Sequence, residues 1–177
     1  VGTLRKVKQN LNPGIEIEAL VRTMYDPRST LTVQVSDELK RHYGDKVKLA
    51  FAFAELLNRE ALALQADGVD IVQFDEPAFN VYMKDAADWG VAALERAAQG
   101  LTCRTAVHIC YGYGIQANIA WKQTLGEQWR QYEQVFPALA ASSIDQVSLE
   151  CIHSRVPPEL MGLLADTDVM VGVIDVA

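Results

Sequence analysis

The stretch VQFDEPAFNVY, residues 72–82, decides the fold. Strand-like residues run directly into an Asp, a Glu and a Pro. A proline two residues after Asp75 cannot extend a central ladder, so the strand ends there. Successive strand side chains alternate, so Asp75 and Glu76 point to opposite sides of the backbone and only one of them faces a given pocket. What that pocket is depends on what else ends at the same edge of the fold.

Three further segments have the same character: TAVHIC (105–110), QVSLEC (146–151) and DVMVGVID (168–175), alongside VDIVQF (69–74). They are short apolar runs rich in β-branched residues, the pattern of strands covered on both faces. Helical patterns separate them. Residues 46–66 place Val47, Ala50, Phe51, Ala54, Leu57, Ala61 and Leu64 on one stripe, with Gly68 as the stop. Residues 86–99 and 127–141 repeat the theme, and 157–166 opens on two prolines suited to a helix start. Within residues 1–45, IEIEALVRTM reads as a helix, LTVQV as a strand and SDELKRHYG as a short helix.

Strand alternating with helix gives βαβ units and a parallel sheet. A (β/α)8 barrel and an open doubly wound sheet both fit that order. Asp75, His108 with Cys110, Glu150 and Asp175 each fall at a strand end. In a barrel these C-terminal ends gather around one mouth, whereas an open sheet spreads them along a line. No G-x-G-x-x-G opens a helix. The expectation is therefore an α/β fold, a (β/α)8 TIM barrel. A complete barrel takes about 250 residues, so 177 residues form an incomplete one: a single barrel domain, 1–177, lacking one or both ends.

Composition fits that picture. Half the residues are apolar and the net charge is −7, which suits one globular unit and disfavours nucleic acid as a partner. No apolar run approaches the ~18 residues of a membrane span, and the N-terminal stretch lacks a signal-peptide core. Three irregularly spaced cysteines form no disulfide framework, so the expected setting is a reducing cytoplasm.

The chemistry concentrates in HIC, 108–110. Positions i and i+2 on a strand share a face, so His108 and Cys110 can approach one ion, and imidazole and thiolate are preferred zinc ligands. A short H-x-C is also common in ordinary core strands. It gains weight from Glu150, an acid closing an apolar strand at the same mouth, where an ionised carboxylate needs a partner or a metal. Cys151 alternates away from Glu150, Cys103 reads as structural, and His42 and His153 as surface residues. CYGYGIQANI (110–119) matches neither a Walker loop nor a Rossmann turn and reads as a loop over the mouth. Trp89, Trp121 and Trp129 lie in helical patterns and read as packing residues.

DEP after an apolar strand, then H-x-C, then an S-x-E strand and a final G-V-x-D strand resemble the catalytic barrel of cobalamin-independent methionine synthase, and its short single-barrel relatives above all. The resemblance covers about Tyr43 to Ala177. It implies a methyltransferase that makes methionine from homocysteine, with zinc as cofactor, His108, Cys110 and Glu150 as three of its ligands, and Asp75 holding the substrate's amino group. Asp75 and Glu76 are together the candidate substrate-binding acids, with Glu76 pairing instead with a backbone or cationic group behind the strand if Asp75 alone meets the substrate. The family's fourth ligand, a Cys in a P-D-C-G segment, has no match and would lie outside this chain. Folate-using members carry a proton-donating His where this chain has Ala177, and the usual T-x-P-G-P segment is replaced by TLTVQVSDEL. The implied partners are thus homocysteine and a methyl donor, either methyltetrahydrofolate or a methylcorrinoid on a carrier protein. Transfer to another thiol such as coenzyme M is the alternative. A uroporphyrinogen decarboxylase-like enzyme is a further alternative, which uses no zinc and would leave H-x-C and Glu150 unexplained; a corrinoid-protein partner or a catalytically dead binding module is the reading from another class.

Overall fold

The computed structural model describes residues 46–110, 116–152 and 154–174, within the compact unit 47–177 and its border residue Lys46. The elements expected within 1–45, the glycine loop at 111–115, His153 and Asp175 lie outside the described residues. Four parallel strands, β1 (Ile71–Asp75), β2 (Arg104–Ile109), β3 (Gln146–Glu150) and β4 (Asp168–Gly172), pair in sequence order. Each appears where its apolar run does. The order β1-β2-β3-β4 with intervening helices is an arc of a (β/α) barrel, as the strand ends implied.

Helix α1 (Lys46–Ala66) ends where Gly68, at φ +94°, supplies the left-handed residue that a helix stop uses. Its buried line is Ala54, Asn58 and Ala61. The predicted stripe through Leu57 and Leu64 is therefore wrong in part, because both leucines are exposed. Asn58 explains the rotation: its amide donates to the carbonyls of Ala97 (2.9 Å) and Gln99 (2.7 Å). These lie at the end of α2 (Val91–Ala98), whose last carbonyls lack helical partners. A single α-turn, Met83–Asp85, and a π-turn, Ala86–Gly90, lead into α2 without a break.

Helix α3 (Gln116–Gln123) follows β2. The helix expected over 127–141 shrinks to a 3-10 turn, Gln131–Gln134, and α4 (Phe136–Ala140). Pro137 has no N–H and sits in the first turn of α4, so the helical ladder starts afresh there. Trp129 accordingly lies before the helical residues, buried in a file of rings that runs from Trp121 through Tyr132 to Phe136. The 157–166 segment forms a 3-10 helix, Pro158–Leu164.

The two faces of the sheet differ. Val72 and Phe74, Val107 and Ile109, and Val147 and Leu149 point into a core closed by Phe79, Leu94, Phe136, Leu139 and Leu164. Period-2 alternation and the register put Gln73, Asp75, Ala106, His108, Gln146, Ser148, Glu150 and Met170 on the opposite face. Full burial of all four strands was expected, but Ile71 and Met170, on the outer strands of this sheet, are about half exposed. At the amino end of the strands, Asp145 accepts from the Thr105 N–H (2.8 Å) and hydroxyl (2.9 Å). Those two bonds hold its carboxyl below the usual carboxylate range.

Candidate metal centre

The register sets two i, i+2 pairs side by side. His108 lies opposite Ser148 and Ile109 opposite Leu149, which brings Cys110, just past β2, level with Glu150, the last residue of β3. The three half-buried side chains offer an imidazole nitrogen, a thiol sulfur and a carboxylate oxygen that all lie within 4.8 Å of one another. His108 Nε2 is 3.8 Å from Glu150 Oε1.

Backbone bonds fix this edge. The Glu76 N–H donates to the His108 carbonyl (2.8 Å), so the DEP turn pins the first residue of the trio. Ser154 Oγ donates to the Glu150 carbonyl (2.7 Å), and the Cys151 N–H donates to the Gly172 carbonyl (3.2 Å). Cys151 itself is buried on the far face, as alternation required, and burial pushes its thiol up. Cys103 is half-buried, and its backbone N–H is held by the Gln65 side chain at 2.9 Å.

Metal–ligand bonds of about 2.0–2.3 Å put tetrahedral ligand atoms about 3.5 Å apart. The His108–Glu150 separation is nearly that, and with all three atoms within 4.8 Å of one another the contraction needed is at most about 1.3 Å. Imidazole, thiol and carboxylate are also the donor types zinc accepts. The residues fit the ion.

Asp75 ends β1 exposed, opposite His108 and on the same face, and it accepts from Gln73 Nε2 at 3.0 Å. Glu76 is half-buried. Burial, and then the Asp75 charge, raise its carboxyl above the usual range. The two acids thus part as alternation predicted.

Two residues near the trio escaped the sequence reading. Lys122, on α3, is only 3 % exposed, and its ammonium lies 5.2 Å from the centre of the Trp129 ring. Burial lowers it to about 8 against the opposing pull of Cys110 and Glu150. Nothing in WKQ marks that lysine as buried. Ser148 is buried between His108 and Met170, and its only sequence signal is the i−2 spacing from Glu150.

A parallel α/β sheet of the barrel type, with chemical residues gathered on one face at its carboxyl edge, defines the class: a barrel catalytic domain. The particular family follows from comparison. The chain belongs to the family described as the cobalamin-independent synthase catalytic domain, which matches residues 21–177. A methionine synthase of Saccharolobus islandicus is 31% identical over 137 residues, covering 76% of this chain and 36% of the relative. One from Sulfurisphaera tokodaii is 28% identical over 135 residues, covering 76% and 34%. Among solved structures, a B12-independent methionine synthase from Shewanella sp. W3-18-1, in complex with selenomethionine, superimposes with a TM-score of 0.72 at 62% identity. That match covers 77% of this chain and 40% of the other. The chain spans about a third of the length of the curated relatives it matches.

Proposed function

We propose that this chain carries part of the active site of a zinc-dependent methyltransferase that converts homocysteine to methionine. It is read as a stretch of one barrel domain of a longer protein. The observation that carries this reading is the convergence of His108, Cys110 and Glu150 at the carboxyl edge of the sheet. These three residues would hold the ion, which when bound supplies Lewis acidity that lowers the pKa of a coordinated thiol toward thiolate at neutral pH. Asp75, exposed on the same face, offers a carboxylate to the substrate ammonium. Glu76 serves the strand turn through its backbone bond to His108. The Shewanella relative's complex with selenomethionine supports a methionine-like ligand for this class of site.

The methyl donor is methyltetrahydrofolate or a methylcorrinoid. Transfer from a folate amine needs an acid at the departing nitrogen, and Ala177 cannot supply one, which favours a corrinoid and its carrier protein as partner. A cytoplasmic setting suits these small-molecule substrates, and no described helix is long and apolar enough to cross a membrane.

The test is zinc content and turnover of the full-length protein with homocysteine and each donor. One zinc per site, lost in Cys110→Ala and Glu150→Ala together with turnover, is the expected result. Full turnover after rigorous metal removal would refute the metal role. Turnover with coenzyme M in place of homocysteine would move the acceptor.

A further inference from the structure

We propose that Ser148 is a positioning residue that fixes the tautomer of His108, leaving Nε2 as the nitrogen that faces the metal. The inference rests on the metal-centre reading above and goes beyond it by assigning the ring's protonated atom and the group that selects it. His108 Nδ1 lies 3.1 Å from Ser148 Oγ, while Nε2 points to the Glu150 side, 3.8 Å from Oε1. A serine hydroxyl has one proton, so its direction decides what it asks of its neighbours. Here Ser148 Oγ donates to Met170 Sδ at 3.7 Å. With that proton turned toward the thioether, the oxygen presents lone pairs to Nδ1, and the tautomer that completes the pair is the one with Nδ1–H. The other nitrogen, Nε2, then carries the free pair that a metal requires.

The sheet builds this relay. His108, Ser148 and Met170 are consecutive register partners on β2, β3 and β4, so all three project from one face. Ser148 is buried, which keeps water from competing for its hydroxyl. Residues that orient a metal-binding imidazole through its second nitrogen typically contribute 10–100-fold in metal affinity. Thioether sulfur is a weak acceptor, so the Met170 contact directs the hydroxyl rather than anchoring the centre.

The test compares Ser148→Thr with Ser148→Val in the full-length protein. These side chains are nearly equal in size, both suit a strand, and they differ in the hydroxyl alone. Zinc affinity is read by competition with a chromophoric chelator, and the His108 tautomer by ring-nitrogen NMR of histidine-labelled, metal-free protein at a pH where the imidazole is neutral. The Thr variant should stay within about threefold of wild type, and the Val variant should lose about 10–100-fold. Wild type and Thr should show the proton on Nδ1, and Val a mixture. Equal zinc affinity in Thr and Val, or a bare Nδ1 in the wild type, would overturn the inference. The wild-type tautomer requires no variant, so a Val protein that fails to fold does not shelter the claim. A wild type that binds no zinc would overturn the metal-centre reading instead, and the tautomer would still decide the role of Ser148.

Discussion

Gly172 faces Glu150 across the β3–β4 ladder, and there is no room for a side chain at that position. A Cβ there would sit 2.9 Å from the Leu149 carbonyl oxygen and 3.3 Å from the Glu150 Cα. The first is about 0.5 Å inside ordinary contact. Both obstacles are backbone, held by the ladder and by the Cys151 N–H to Gly172 carbonyl bond, so neither can swing aside. Gly172→Ala must therefore push β3 and β4 apart where Glu150 leaves the sheet. Overpacking of this kind costs about 1–3 kcal/mol, a drop of several degrees in Tm. A site tolerates only about 0.5 Å of ligand displacement, so zinc affinity should also fall, by about tenfold or more. Gly162→Ala is the control, because its Cβ would meet nothing within 4 Å. Thermal melts and chelator competition on the full-length variants provide the measurements. A Gly172→Ala protein with the Tm and zinc affinity of wild type would refute the steric reasoning.

Asp75→Asn should weaken homocysteine binding by about one to two orders of magnitude, because a charge-assisted hydrogen bond of about 1.5–3 kcal/mol is lost. Titration of activity against homocysteine checks this, and an equal loss in Glu76→Gln would reverse the two roles. Glu76 has a raised folded-state pKa, so its contribution is most favourable below 4.5 and is lost as pH rises through the folded value. Glu76→Gln should therefore raise resistance to urea at pH 7.5, with the gain shrinking toward pH 4.5. Lys122 has the opposite linkage: its folded value of about 8 lies below 10.5, so the metal-free protein should gain stability as pH rises between them. Lys122→Met should flatten that rise in unfolding curves, and an unchanged slope would show the ammonium to be well solvated. Asp145→Ala should cost about 1 kcal/mol near neutral pH, read from urea unfolding curves. Its folded pKa lies below 3.8, so the carboxylate's contribution disappears as pH falls through that lower value.

The trio was legible because strand periodicity and strand ends are local properties. H-x-C places two donors on one face whatever the strand packs against, and the acid after VSL marks the edge where β3 stops. Local pattern could not orient the helices. Leu57 and Leu64 fit an apolar stripe, yet the open carbonyls of Ala97 and Gln99 draw Asn58 inward and turn those leucines out. Lys122 is hidden for the same reason, since its ammonium lies over Trp129, a residue outside its own helix. Register was the other missing quantity. A two-residue slip of β3 against β2 keeps every side chain on its face but sets His108 beside Gln146 or Glu150 instead of Ser148. The observed β2–β3 alignment is bonded at its start by the Asp145 carboxylate on Thr105, while the Glu76 N–H on the His108 carbonyl fixes β1 against β2. Glu76 of the DEP turn thus helps, through its backbone, to keep Asp75 level with the imidazole on the neighbouring strand.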